Sequence, residues 1–260
     1  MHTVISLRAW RAIAFVLSLA LLSWPIMTKA AVFGPMAAAG FARLTAEPFG
    51  QITAPLPEGA LFDKWVDLQK RLGDEQQVLD TCRTDPSHCP PAAQRFLAIV
   101  DSGRNHDGLA RFGDINRAIN MTIKPVSDLV NYGAMDVWSA PLATLSIGSG
   151  DCEDYAIAKL AALKEAGVSP DDLRLVIVRD HAHAEDHAVA MARWQGRWLV
   201  LDNRRLVMLE DSQIADYQPS FVIDEAGVRR YLDLPTAQAP LMASRDRGDA
   251  VPSSNAGLTQ

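Results

Sequence analysis

The stretch Gly148-Ser149-Gly150-Asp151-Cys152-Glu153-Asp154-Tyr155, continued to residue 167, is where the chain changes from one repeating pattern to another. A glycine turn opens it. Ala156, Ile157, Leu160, Ala161 and Leu163 then recur at helical spacing until Gly167 stops the pattern, so the spacing predicts a helix over 151–166. Upstream, residues 60–79 set Leu61, Phe62, Trp65, Val66, Leu68 and Leu72 at the same period, and residues 96–100 and 115–123 repeat it. Downstream, residues 173–178, 187–194 and 198–202 are short strand candidates, with Gln195-Gly196 as a two-residue turn between the last two. The expected fold class is α+β, with a helical N-terminal half followed by an antiparallel sheet. No internal repeat is present.

The two ends read differently. Residues 1–30 carry Arg8, Arg11 and Lys29, no acid, an apolar run over 12–22 broken only by Ser18, and small residues at Thr28 and Ala30. This is the pattern of a cleaved secretory signal peptide, with an uncleaved anchor as the other reading. Residues 31–59 hold Pro35, Pro48, Pro55 and Pro57 and read as an extended lead-in, and one folded domain is expected over 60–234. Residues 235–260 are rich in Ala, Pro, Ser, Arg, Asp and Gly, and read as a disordered tail. The 260-residue chain is 48% hydrophobic and 22% charged, ordinary globular values, and its net charge of −6 argues against a nucleic-acid partner. Export to an oxidising compartment makes Cys82 and Cys89, either side of Asp85-Pro86-Ser87, the expected disulfide. Cys152 is then the odd thiol.

An unpaired cysteine in the first turn of a helix has the positive end of the helix dipole to favour its thiolate, the nucleophilic form. Asp151, Glu153 and Asp154 work against that, because their charge raises a neighbouring thiol pKa. Two readings of these acids stay open. A calcium ion held by clustered carboxylates would offset their charge; alternatively, Asp151 caps the helix while Glu153 and Asp154 complement its dipole. A cysteine nucleophile also needs a base, and the base an orienting group. If Gln195 and Gly196 form the turn, Trp194 faces Arg197, and His187 and Asp202 fall on one face of the hairpin as diagonal neighbours. His181 and His183 compete for the role of base. The run His181-Ala182-His183-Ala184-Glu185-Asp186-His187 also admits a transition-metal reading.

Three segments, Gly150-Asp151-Cys152-Glu153-Asp154-Tyr155-Ala156, His187-Ala188-Val189 and Leu201-Asp202-Asn203, resemble the bacterial transglutaminase-like cysteine peptidases, in particular the periplasmic adhesin-cleaving ones. The resemblance spans roughly residues 61–217 and takes in Trp138, Pro141 and the paired-cysteine stretch. It implies a papain-like, transglutaminase-like core with Cys152 as nucleophile, His187 as general base and acid, and Asp202 as the orienting carboxylate. It further implies calcium as cofactor, with Asp151 and Glu153 as ligands and Asp154 as a weaker one. The resemblance also implies a substrate and a regulator: a large repeat adhesin, cut near its N-terminus at a paired-alanine site to release cells from a biofilm, and an inner-membrane receptor for cyclic di-GMP. Residue types alone support an exported thiol enzyme of the acyl-transfer kind. A transglutaminase or amidase acting on cell-wall peptides would use the same residues, and a non-catalytic receptor-binding module would share the fold.

Overall fold

Helical spacing in the first half and alternation in the second become separate layers in the computed structural model, which describes residues 47–232. The leader over 1–30 and the tail over 235–260 lie outside the described residues. Helices α1 (Ala60–Thr84), α2 (Pro91–Arg104), α3 (Gly108–Thr122), α4 (Asp128–Tyr132), α5 (Pro141–Ile147) and α6 (Cys152–Glu165) precede most of the strands. The strands are β4 (Leu173–Asp180), β5 (Glu185–Trp194), β6 (Arg197–Leu201), β7 (Leu209–Glu210), β8 (Tyr217–Asp224) and β9 (Gly227–Tyr231). With β1 (Thr53–Pro55) they form one antiparallel sheet in the order β1-β9-β8-β4-β5-β6-β7. A separate parallel pair joins β2 (Lys124–Pro125) to β3 (Ser149–Gly150). The fold class is α+β. Among the described residues no helix is long and apolar enough to cross a membrane.

The central helix α6 explains the layering. Ala158, Ala162 and Leu163 are fully buried, facing Ala190, Ala192 and Leu201 of the sheet, with Phe96, Ile115 and Ile119 of α2 and α3 in the same core. Alanine against alanine lets helix and strand approach closely, and β5 alternates as a strand must. Its even residues join the helix-side core, while Val189 and Met191 join Val176, Val178, Val200 and Val222 on the other face. Glu75 of α1 accepts hydrogen bonds from the Leu142 and Ala143 N–H groups at 2.8 and 3.0 Å, satisfying the free end of α5 just before the Gly148 turn. Gly148 itself has φ 79°, a left-handed conformation that closes α5 and aims the chain into α6.

Strands β1, β8 and β9 depart from the expectation. The supposed lead-in over 31–59 contributes β1, whose Thr53, Ala54 and Pro55 pair with Tyr231, Arg230 and Arg229. Glu47 is anchored as well, to Arg174 at 2.9 Å and Arg229 at 3.1 Å, so the folded unit begins before residue 60. Proline density hid this strand, yet an edge strand tolerates proline because one side of its backbone needs no partner. The β8–β9 hairpin was hidden by Pro219 and by the paired Arg229 and Arg230. The register passes from Ile177↔Phe221 to Val178↔Pro219, leaving Ser220 as a bulge that admits proline into an interior strand.

Cys82, at the end of α1, and Cys89, before α2, are disulfide-bonded as expected, with seven residues of separation. Closing so short a loop removes little unfolded-chain entropy, so replacing both cysteines with alanine should lower the unfolding free energy by about 2–3 kcal/mol. Urea denaturation of the oxidised protein and the double variant will measure it.

Candidate active site

The helix start is built by a strand pair rather than by local sequence. Lys124↔Ser149 and Pro125↔Gly150 pair in parallel, which carries residues 126–128 alongside Gly150 and Asp151. Val126 N–H donates to the Gly150 carbonyl at 3.0 Å. Asp151 is the N-cap residue of α6 by position, but its side chain makes no capping hydrogen bond. It lies instead with Glu153 and Asp128, ligand atoms of all three falling within 4.8 Å of one another.

Asp154 does not join that group. It is fully buried, its Oδ1 accepts from the Ser139 N–H at 2.8 Å, and its carboxylate faces the Asp151 N–H at the helix start. Its Oδ2 is buried without a hydrogen-bond partner. Asp151 thus makes no side-chain cap, Asp154 stands apart on the Ser139 N–H, and the clustered-carboxylate reading describes Asp151 and Glu153 with Asp128, a residue the sequence reading did not single out.

The cluster is electrostatically strained. Burial, then the Glu153 charge and hydrogen bond, then Asp128 and Asp154, push the Asp151 carboxyl up to about 9. Burial raises the Asp128 carboxyl, against the Val137 N–H that donates to it. Asp154 rises to about 7, burial leading and the Ser139 N–H opposing. Asp128 Oδ1 and Asp151 Oδ1 are both buried without a hydrogen-bond partner. An all-oxygen set with orphaned lone pairs fits a hard divalent cation.

Cys152 is the free thiol and only partly exposed. Its Sγ–H donates to Glu153 Oε2 at 3.1 Å, and the Ala188 N–H donates to the sulfur, so the thiol lies against β5 at the residue next to His187. Burial, then Glu153, push the thiol well above its usual range, with the Ala188 N–H opposing.

The hairpin pairs as expected, from Trp194↔Arg197 to Ala190↔Leu201, across Gln195 (φ 50°) and Gly196 (φ 78°). The ladder stops one rung short of Asp202, yet His187 Nε2 and Asp202 Oδ1 meet at 3.0 Å, each residue 1% exposed. His187 Nδ1 is buried without a partner. Burial alone would raise the Asp202 carboxyl, but the His187 hydrogen bond and charge, the Arg204 N–H and the Tyr217 hydroxyl hold it far below the usual carboxylate range.

Tyr217 was not anticipated. Its hydroxyl donates to Asp202 Oδ2 at 2.7 Å and its ring meets His187 edge-on at 5.8 Å, because β8 brings it opposite Asp180 at the end of β4. Nothing near Tyr217 in the sequence signals this, since three strands intervene in the pairing. Tyr217→Phe strips a charged acceptor of a buried donor, so urea denaturation should find it about 2 kcal/mol less stable. An unchanged stability would show that the hydroxyl is dispensable to the fold.

His181 and His183 stand apart, in the turn between β4 and β5. His181 Nε2 meets Gln218 Oε1 at 3.0 Å and His183 Nδ1 meets Asp180 Oδ2 at 2.7 Å. Their imidazoles do not join a common ligand set among the described residues.

The family model described as bacterial transglutaminase-like cysteine proteinase (BTLCP) matches residues 76–222, more than half of the chain. The chain belongs to the bacterial transglutaminase-like cysteine proteinases. Membership makes it a cysteine peptidase and places the matched segment from α1 to β8. Solved structures of LapG from Legionella pneumophila share the proteinase fold. The calcium-bound form matches at 23% identity and TM-score 0.51, covering 59% of this chain and 87% of that one. The EGTA-treated form matches at 23% and 0.50, covering 60% and 84%. No curated sequence matches the chain.

Proposed function

We propose that this proteinase is a periplasmic, calcium-dependent endopeptidase that cuts a large surface adhesin near its N-terminus at a paired-alanine site, with Cys152, His187 and Asp202 as its triad. The observation carrying the reading is the buried His187: one ring nitrogen is on Asp202, and the other has no protein partner, at the residue beside the one whose N–H meets the Cys152 sulfur. In that arrangement Asp202 holds the imidazole through Nε2 and leaves Nδ1 free to serve the thiol as a base. His187 takes the Cys152 proton, the sulfur attacks the substrate carbonyl, and His187 returns the proton to the leaving amine. Water, deprotonated by the same imidazole, then releases the acyl group and restores the thiol. The Cys152 N–H, free at the helix start, is the candidate donor to the oxyanion.

Asp128, Asp151 and Glu153 would hold calcium. When bound, the ion supplies positive charge that offsets the carboxylates and lowers the energetic barrier to a thiolate beside them. The leader pattern and the Cys82–Cys89 disulfide support a periplasmic site of action. Leu129, Val130 and Met135, exposed in the segment that follows Asp128, offer apolar surface suited to a polypeptide substrate. Control by an inner-membrane cyclic-di-GMP receptor is the regulation the family resemblance supports.

The test is incubation of purified residues 31–260 with an adhesin N-terminal segment containing Ala-Ala, with and without a primary amine. Two peptides ending at the alanine pair support the reading, whereas an amide to the added amine indicates a transglutaminase and no product on any such segment refutes the substrate.

A further inference from the structure

Lys159 is the buried lysine of a domain whose other buried charged groups, among the described residues, are acids and the His187 imidazole. It lies seven residues beyond Cys152 on α6, two turns along and therefore on the same helix face. Because α6 packs on β5 through alanines, the lysine can cross beneath that strand, and its Nζ donates to the Leu201 carbonyl at 3.1 Å. Leu201 is the last residue of β6, and its carbonyl belongs to the peptide that leads into Asp202. The following carbonyl, that of Asp202, is held from α3 by Asn120 Nδ2 at 2.8 Å.

A buried amine is an expensive way to hold a strand end. The partner is a neutral carbonyl, and the Tyr155 ring stands 5.8 Å from the nitrogen. An unbranched apolar side chain of similar length would fill the same space without the desolvation penalty. Burial pushes the ammonium down to about 7, and the charge of Asp202 opposes that fall. Either protonation state keeps an N–H to donate. What an apolar side chain lacks is the tie between the helix bearing the nucleophile and the turn bearing the carboxylate.

We propose that Lys159 is a positioning residue that fixes the Leu201–Asp202 peptide against α6, so that Asp202 holds His187 at the geometry acyl transfer requires. The proposal rests on the triad reading above. Lys159→Met and Lys159→Ala are to be compared with the unaltered protein, alongside Cys152→Ser and Asp202→Ala. Four readouts serve: melting temperature, kcat and KM for adhesin-segment cleavage, the pH dependence of Cys152 alkylation by iodoacetamide, and restoration by n-butylamine.

Lys159→Met is expected to melt no lower than the parent, keep KM, lose about a hundredfold in kcat, and shift thiol alkylation to higher pH. n-Butylamine should return part of the lost kcat to Lys159→Ala, and n-butanol should not. Unchanged kcat in Lys159→Met overturns the proposal. So does a fall in melting temperature that accounts for the lost activity, or failure of this variant to fold, because either makes the amine a stabilising element only. Full cleavage by Cys152→Ser or Asp202→Ala would overturn the triad itself, an outcome distinct from failure at Lys159 alone.

Discussion

Cys152→Ser and His187→Ala will each lose about a millionfold in kcat for adhesin cleavage, and Asp202→Ala about ten-thousandfold, because members of such a unit act together and no remaining group replaces them. The physical reason differs at each position. A serine hydroxyl beside Glu153 and Asp151 has no accessible anion, whereas the thiol has one once the local charge is balanced. His187 is buried at the hairpin, and removing it takes from the buried Asp202 carboxylate its ionisable partner, leaving only the Arg204 N–H and the Tyr217 hydroxyl, so His187→Ala should also be less stable. Asp202→Ala leaves the imidazole free to rotate. Far-ultraviolet circular dichroism of each variant separates lost chemistry from lost fold. If His183→Ala is inactive while His187→Ala cleaves normally, the assignment of the base is wrong; the position of His183, bonded to Asp180 in the turn, argues for the opposite result.

Removing calcium with EGTA should abolish cleavage, and added calcium should restore it where magnesium does not, because magnesium demands tighter geometry and sheds its water reluctantly. The cause lies in the acids around the thiol. Burial and Glu153 raise the Cys152 pKa, and Asp151 adds to them, so without a cation the thiolate is disfavoured at neutral pH. Asp128→Ala and Asp151→Ala should therefore behave like the chelated protein. Calcium at a hundred times its dissociation constant should add about 2.7 kcal/mol to the unfolding free energy, and thermal melting will show it. Asp154→Asn should keep that calcium-induced shift, since its carboxylate is engaged by the Ser139 N–H rather than grouped with the other three. Full cleavage in EGTA with no calcium detected by elemental analysis would end the metal assignment.

Periodicity alone determined a good deal of this protein. The run of apolar residues after Gly150 determined α6, expected over 151–166 and found over Cys152–Glu165, because helix spacing and glycine punctuation are local properties. The two-residue Gln195-Gly196 turn determined the register of β5 on β6, and with it the shared face of His187 and Asp202, because a tight turn leaves only one pairing. The short polar loop between Cys82 and Cys89 likewise carried its disulfide in the sequence.

Partners supplied by distant elements were decided by tertiary structure. Asp128 reaches the acid cluster because β2 pairs with β3, Tyr217 reaches Asp202 because β8 lies beside β4, and Lys159 reaches Leu201 because α6 packs closely on β5. The division among the acids after Gly150 also belongs to the tertiary structure. Sequence places Asp151, Glu153 and Asp154 within one helical turn, but only the surroundings separate the buried residue that bonds Ser139 from the two that face Asp128. A side chain's periodicity reports which face of its own element it occupies; what stands across from that face depends on how the elements pack, and no local spacing encodes it.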